Sequence, residues 1–100
     1  MSDQVQQWMD KCGIQELIYR YSDSVNRADW DVTIRLFAQD AVWESPLLGM
    51  HFDSAEAFVA NLRATTPASE LLVQTASSPV IALVGADRAR ATTTMSSFAA

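Results

Sequence analysis

Apolar residues at helical spacing dominate the first quarter of the sequence and constrain the fold more than any other feature. One stripe comprises Ile14, Leu17, Ile18, Tyr21 and Val25, and an earlier one comprises Val5, Trp8, Met9 and Cys12. At about 100° per residue, the two stripes would lie on roughly opposite sides of an unbroken helix. We therefore predict a short leading helix, a break at Gly13, and a longer helix from about Ile14 to Arg27.

The next segment predicts a second helix and a short strand. Asp29 is a plausible N-cap for the helix, which we expect to end near Gln39. Residues 41 to 45 read as a strand that Pro46 ends, because proline cannot donate to a ladder of hydrogen bonds. Alternation divides this strand into one face with Trp43 and Ser45 and another with Val42 and Glu44.

A third helix and several strands complete the predicted order. Asp53, with Glu56 three residues later, resembles a capping box at the start of the helix, which Thr66 and Pro67 close. The β runs that follow are Leu71 to Thr75, Val80 to Val84, and a last strand from Arg88 onward, with a turn at 85–87. Pro79 predicts a bulge or bend between the first two runs. This order indicates an α+β fold with helices packed on one face of an antiparallel sheet.

Composition excludes several classes of partner and site. The 100 residues form one expected domain, 1–100, with a net charge of −5 and Lys11 as the one lysine, so nucleic acid and anionic membranes are poor partners. No segment approaches the roughly 18 apolar residues of a membrane span. Cys12 is the single cysteine, which suits a reducing cytoplasmic compartment, and we expect it to be a small buried hydrophobe. One histidine and no cysteine pair predict no metal site.

The segment from residue 19 to 46 resembles the opening of the nuclear transport factor two-like superfamily, in particular ketosteroid isomerases and SnoaL-like polyketide cyclases. It reads YRYSDSVNRADWDVTIRLFAQDAVWESP, and the matching elements are Arg20-Tyr21, Asn26, Asp29 and Asp31 around Trp30, Leu36-Phe37-Ala38, Asp40-Ala41, and Glu44 ahead of Pro46. The resemblance implies a cone-like, curved antiparallel sheet with three helices on its concave side, around a hydrophobic pocket. In such relatives two further strands follow the position of Ala100, so we expect an incomplete sheet.

The resemblance also implies a catalytic tyrosine. Tyr21 coincides with the residue that donates a hydrogen bond to the developing enolate oxygen in ketosteroid isomerase, although it also lies on the apolar stripe and could simply fill core. Ser45 stands where that enzyme has its carboxylate base, and a serine cannot abstract the proton without a base of its own. Glu44 is a weaker candidate base, because alternation turns it to the other face.

Two amides stand where related dehydratases have an aspartate and a histidine. Asn26 and Gln74 could orient a substrate oxygen but could not carry a proton at neutral pH, and Asn26 could equally be a simple helix C-terminal residue. His51, which we expect in a loop before the third helix, is the best proton carrier by its ordinary pKa. Side chains expected to contact a flat apolar ligand are Trp30, Trp43, Ser45, Phe58, Gln74 and Met95, with core packing as the alternative for the larger ones.

The sequence leaves three functions open. The first is a cofactor-independent isomerase, dehydratase or cyclase acting on a hydrophobic cyclic or polyketide-like carbonyl compound, with Tyr21, His51 and Asn26 as catalytic residues. The second is a noncatalytic module that binds an apolar small molecule or dimerises. The third is the small subunit of an aromatic-ring dioxygenase, which shares the fold. We expect a homodimer in each case where no larger partner is present, and the mass in solution would test this.

Overall fold

The structure, a computed structural model, describes residues 3–65 and 72–99. Its elements are α1 (Asp3–Asn26), α2 (Trp30–Arg35), β1 (Trp43–Ser45), β2 (Met50–Phe52), α3 (Ala55–Thr65), β3 (Leu72–Leu83) and β4 (Ala89–Ala99). The strands form two antiparallel pairs, β1 with β2 and β3 with β4, and α1 packs along β3. The predicted α+β fold of helices against antiparallel strands is confirmed. None of the helices in this part of the chain combines the length and hydropathy that crossing a membrane requires.

Helix α1 continues without interruption through Gly13, so the predicted break is wrong. The physical reason is that only the second apolar stripe is buried against the rest of the protein. In the first stripe, Trp8 is 69% exposed and Met9 is 51% exposed, so no surface has to cover both sides of the helix at once. Cys12 belongs to this exposed stripe, and the expectation that it is buried is also wrong.

A buried pair of hydroxyls joins α1 to α2. The hydroxyl oxygens of Ser24 and Thr33 lie 2.7 Å apart, and both residues are almost completely buried. Between them the chain reverses through Ala28, whose φ of 54° is left-handed. The N–H groups of Ala28 and Asp29 donate to the carbonyls of Val25 and Ser24, which is the Schellman pattern at the end of a helix. This junction fixes the direction in which α2 leaves α1.

Helix α2 is shorter than the sequence predicts and ends at Arg35 instead of near Gln39. Asp29 occupies the predicted N-cap position, but its side chain makes no capping hydrogen bond. Its main-chain carbonyl instead accepts from the N–H and the hydroxyl of Thr33. Asp29 therefore contributes its main-chain carbonyl, and not its carboxylate, to the start of α2.

Strands β1 and β2 form a short hairpin, of which the sequence predicted only the first strand. Trp43 pairs with Phe52, and Glu44 pairs with His51. The turn between them passes through Gly49, which has a left-handed φ of 65° that favours glycine. The prediction that His51 lies in a loop is wrong, because His51 is the middle residue of β2. This position determines the face of the hairpin on which its side chain lies.

Helix α3 begins at Ala55, and its cap lies one residue later than predicted. The hydroxyl of Ser54 accepts a hydrogen bond from the N–H of Ala57 at 3.1 Å, so Ser54 and not Asp53 is the capping side chain. Asp53 is instead bound to His51. The predicted closing residues Thr66 and Pro67 lie outside the described residues, as does Leu71.

The two predicted β runs around Pro79 form one long strand with an irregularity, as the proline indicated. The register of β3 against β4 shifts between Ser77 and Val80, and Ser78 has a left-handed φ of 53°. A turn at 84–88 then leads into β4, where the N–H of Val84 donates to the carbonyl of Arg88. The predicted bulge and turn are therefore confirmed.

Replacing Gly13 tests the continuity of α1. A Cβ added at Gly13 meets no atom within 4 Å, so Gly13→Ala gains helix propensity without a clash. We expect an increase in the free energy of unfolding of up to about 1 kcal/mol, measured by urea denaturation. The matched change Gly49→Ala places a side chain at a left-handed φ and should lower that free energy by about 1 kcal/mol. A loss of stability in Gly13→Ala would instead indicate the broken helix.

Candidate functional site

An aromatic cluster forms where α1, the end of α2, the β1–β2 hairpin and α3 meet. Its members are Tyr21, Phe37, Trp43, Phe52 and Phe58. Phe58 is 3% exposed, and the ring of Trp43 stacks on it with centroids 4.6 Å apart. The other four rings are half-buried, so the cluster presents partly exposed apolar surface above a buried phenyl ring. Such a surface suits a flat apolar ligand.

Tyr21 lies at the α1 edge of this cluster. Its ring meets Phe37 edge-on, with centroids 6.0 Å apart and an interplanar angle of 87°. Partial burial raises the pKa of the Tyr21 phenol above its ordinary value, so the hydroxyl stays protonated at neutral pH. Among the residues that the structure describes, none forms a hydrogen bond with this hydroxyl. Tyr21 is therefore an unengaged hydrogen-bond donor beside apolar rings.

Asn26, at the last turn of α1, is bound to the main chain of β3. Its Nδ2 donates to the carbonyl of Gln74 at 2.7 Å, and the Gln74 N–H donates to its Oδ1 at 2.6 Å. The side-chain amide thus occupies the place of a neighbouring strand at the free edge of β3. The sequence grouped Asn26 with Gln74, and the structure brings them together, but it uses the Asn26 amide to hold Gln74.

Two buried polar atoms on the facing surfaces of α1 and β3 have no hydrogen-bond partner among the described residues. These are Oε1 of Gln74 and Oγ of Ser22, which is 6% exposed and one helical turn before Asn26. Gln74 faces the helix because exposure alternates along β3, with Gln74 and Ala76 less exposed than Thr75. Ser22 and Asn26, one turn apart on α1, therefore lie on the side of the helix that faces Gln74, whereas the Tyr21 ring meets Phe37.

The aromatic cluster and the facing sides of α1 and β3, here called the inner surface, carry no ionised side chain among the described residues. Among the side chains that the structure describes, every Asp, Glu, His, Lys and Arg is exposed, and Tyr21 is the one titratable group that is half-buried. The buried and half-buried polar residues carry only hydroxyls and amides. The arrangement can thus bind and polarise a neutral oxygen function, but these side chains include no strong base.

His51 lies on the opposite face of the hairpin from the aromatic cluster. In β2 its neighbour Phe52 is half-buried, whereas His51 itself is 53% exposed. Its Nε2 lies 2.6 Å from Oδ1 of Asp53, and its Nδ1 lies 3.5 Å from Oε2 of Glu44. The structure therefore separates His51 from Tyr21, although the sequence placed them in one catalytic set.

The remaining predicted ligand contacts are scattered. Ser45 shares the inner face of the hairpin with Trp43. Trp30 is half-buried at the start of α2 and makes no ring contact within residues 3–65 and 72–99. Met95 lies opposite Ala76 on β4 and is 40% exposed. Sequence reasoning did not name Phe37 or Ser22 as site residues. Ser22 directly follows Tyr21 in α1, and the ring of Phe37 contacts the ring of Tyr21.

Cavities in the described structure lie along α1 and differ from the aromatic cluster in their lining. One of about 520 Å³ is lined by residues from Cys12 to Asp23 on the outer side of α1. Another of about 470 Å³ lies between α1 and the β3–β4 turn. Within the described part of the chain, no group of three His, Cys, Asp or Glu side chains could hold a metal ion. The two carboxylates near His51 approach different ring nitrogens and so could not share one ion with it.

The carboxylates around His51 predict that the stability of the β1–β2 hairpin depends on pH. Hydrogen bonds to Asp53 first, and then to Glu44, raise the pKa of His51 above its ordinary value of 6.5. Because folding raises this pKa, protonated His51 stabilises the folded protein fully at pH values below the pKa of the unfolded chain. That stabilisation is lost as the pH rises through the pKa of the folded protein. We expect NMR titration to give a His51 pKa above 6.5, with Asp53→Asn lowering it more than Glu44→Gln. Equal effects of the two variants would contradict this geometry.

Comparison with known proteins identifies the family. The sequence model for the SnoaL-like domain matches residues 6–100, which is nearly the whole chain. A comparison with curated proteins returned no match. The matched range includes α1, the hairpin, α3 and both long strands, and the α+β arrangement agrees with the fold that the sequence resemblance implied. The chain therefore belongs to the SnoaL-like domain family of the nuclear transport factor two-like superfamily.

Proposed function

We propose that this protein is a cofactor-independent enzyme that acts on a hydrophobic cyclic or polyketide-like carbonyl compound, as an isomerase, dehydratase or cyclase. The SnoaL-like family includes isomerases and cyclases. The observation that carries the proposal is the half-buried Tyr21, whose ring meets Phe37 and whose hydroxyl has no hydrogen-bond partner among the described residues. A donor in this setting is suited to an oxygen atom of an otherwise apolar ligand.

The proposed role of Tyr21 is to stabilise negative charge on the substrate oxygen. When the C–H bond next to a carbonyl breaks, its electron pair moves towards the oxygen, which becomes an enolate. A phenol that remains protonated donates a stronger hydrogen bond to this oxygen than to the neutral carbonyl, because the charge has grown. Low local polarity from the adjacent Phe37 ring strengthens the interaction further.

The proton needs an acceptor, and we assign that role to a water molecule. No carboxylate or imidazole is buried or half-buried among the described side chains, and His51 lies on the other face of the hairpin. A water molecule would take the proton, while Tyr21 keeps its own proton throughout. This restricts the proposal to substrates whose C–H bond is already acidic.

The same observation favours a second candidate, a noncatalytic module that binds an apolar carbonyl compound. Without a base on the inner surface, Tyr21 would supply binding and orientation but no rate enhancement. Both candidates need the same hydrophobic small molecule as partner, and neither needs a metal or an organic cofactor. A homodimer and a cytoplasmic location stay predictions from the sequence.

Replacing Tyr21 by Phe separates the two candidates. We expect wild-type protein to accelerate exchange of the α-protons of β-tetralone with deuterated water, as measured by NMR. Tyr21→Phe should reduce that acceleration by about 10² to 10³, the usual effect of losing one oxyanion donor. Tyr19→Phe removes the hydroxyl of an exposed tyrosine two residues away and should leave the rate within about twofold.

Binding measured on the same proteins completes the comparison. A ligand that binds wild-type protein without faster exchange, and binds Tyr21→Phe more weakly, supports the noncatalytic candidate. Exchange that is equally fast in wild type and Tyr21→Phe contradicts the role of Tyr21. Because the hydroxyl has no described partner to lose, Tyr21→Phe should unfold within about 0.5 kcal/mol of wild type, so a folding defect would not explain a lost rate.

A further inference from the structure

His51 is held from two directions on the outer face of the hairpin. Its Nε2 lies 2.6 Å from Oδ1 of Asp53, two residues along the chain, and its Nδ1 lies 3.5 Å from Oε2 of Glu44, across the strand pair. Among the charged side chains that the structure describes, these two are the ones within ion-pair distance of the imidazole. The contacts tie the end of β2 both to β1 and to the segment that leads into α3.

Phe52 lies between the two residues of the shorter contact. Because successive side chains alternate along extended chain, a contact between His51 and Asp53 on the outer face directs the ring of Phe52 to the inner face. There the ring centroid lies 5.6 Å from that of Trp43 and 6.0 Å from that of Phe58. The outer contact therefore spans the backbone of a residue whose ring belongs to the aromatic cluster.

The same contact adjoins the start of α3. Asp53 directly precedes Ser54, the capping residue of that helix. Phe58 lies about one helical turn after the cap, and its buried ring contacts the ring of Phe52. A change in the distance between His51 and Asp53 would therefore move the end of β2, and the ring that it carries, relative to Phe58.

We propose that His51 is a positioning residue for the aromatic cluster: from the outer face of the hairpin, its bond to Asp53 holds the ring of Phe52 in place within the cluster. The inference rests on the proposed function only in taking the cluster as the surface that meets the ligand. It gives His51 a role that requires neither contact with the ligand nor proton transfer to it.

The imidazole makes this positioning depend on pH. Its bond to the Asp53 carboxylate is strongest while the imidazole is protonated, because both partners are then charged. Since the two carboxylates raise the pKa of His51 above 6.5, the bond is at full strength in mild acid and weakens as the pH rises through that pKa. We therefore expect the ring of Phe52 to be held more firmly in mild acid than in mild base.

Nuclear Overhauser effects between aromatic rings test this on the free protein. We would follow the cross-peaks that join the ring of Phe52 to those of Trp43 and Phe58 between about pH 5.5 and about pH 8.5, the range in which histidine titrates. In wild type they should weaken by about twofold at the higher pH, a modest change because exposed ion pairs are weak. The midpoint should coincide with the pKa of His51, measured from its own ring signals.

Three variants assign the effect to the His51–Asp53 contact. His51→Gln can still donate a hydrogen bond to Asp53 but does not titrate, so its cross-peaks should be equal at both ends of the pH range. Asp53→Asn removes the carboxylate and should give the weaker pattern throughout. Asp40→Asn, which changes an exposed carboxylate in the segment before β1, is the matched control and should keep the wild-type pH dependence.

Binding of β-tetralone connects the positioning role with the ligand surface. The affinity of wild type should fall about two- to fivefold between the same pH values, whereas that of His51→Gln should stay constant. Tyr21 does not contribute to this change, because burial raises the pKa of its phenol above the ordinary value and it stays protonated over the whole range.

The outcomes separate this inference from the proposed function. Ring cross-peaks in wild type that stay constant while His51 titrates overturn the inference, and so does an equal change in His51→Gln. Failure of β-tetralone to bind at either pH counts against the proposed function, and the ring cross-peaks then still decide the role of His51. Should a variant not fold, agreement or disagreement between the wild-type midpoint and the pKa of His51 decides the question.

Discussion

The contact between α1 and β3 holds the arrangement together, and its most specific element is the pair of hydrogen bonds between the Asn26 amide and the main chain of Gln74. A strand edge offers an N–H and a carbonyl side by side, and the amide of asparagine matches both. This fixes where along β3 the last turns of α1 lie. The same turns carry Tyr21 and Ser22, so the contact also determines which polar groups face the interior.

The surface beside this contact is mostly apolar but also carries hydrogen-bonding groups. The Tyr21 ring meets Phe37, which links it to the rings of the hairpin and α3, and the Gln74 side chain lies on the face of β3 towards α1. Hydroxyls and amides are present there, whereas charged side chains in the described residues stay outside. Neutral hydrogen-bonding groups in low-dielectric surroundings favour recognition and polarisation of oxygen atoms over direct proton abstraction.

Periodicity predicted the parts of this fold that depend on burial. The stripe containing Tyr21 and Val25, the alternation that separates Trp43 from Glu44, and the bulge near Pro79 all follow from local rules. The wrong predictions concern residues whose setting depends on distant contacts. Helix α1 continues through Gly13 because its first apolar stripe stays exposed in the described structure. His51 lies in a strand because its segment pairs with residues 43–45 across the turn.

The sequence named only some of the residues that the structure brings together, and it did not give their contacts. Resemblance pointed to Tyr21, Asn26 and Gln74 as one group, but no local pattern shows that Asn26 uses its amide on a strand edge 48 residues away. Nor does the sequence distinguish Asp53 from Ser54 as a helix cap, since both residues can accept the same N–H. Such assignments depend on distances that only the folded chain defines.

Amide hydrogen exchange at Gln74 tests the central contact most directly. Its N–H points away from β4 towards Asn26, so its protection depends on α1, whereas that of Thr75 points towards β4 and serves as an internal reference. We expect slow exchange at both positions in wild type, and fast exchange at Gln74 with retained protection at Thr75 in Asn26→Ala. The same exchange rate for Gln74 in wild type and variant would contradict the account.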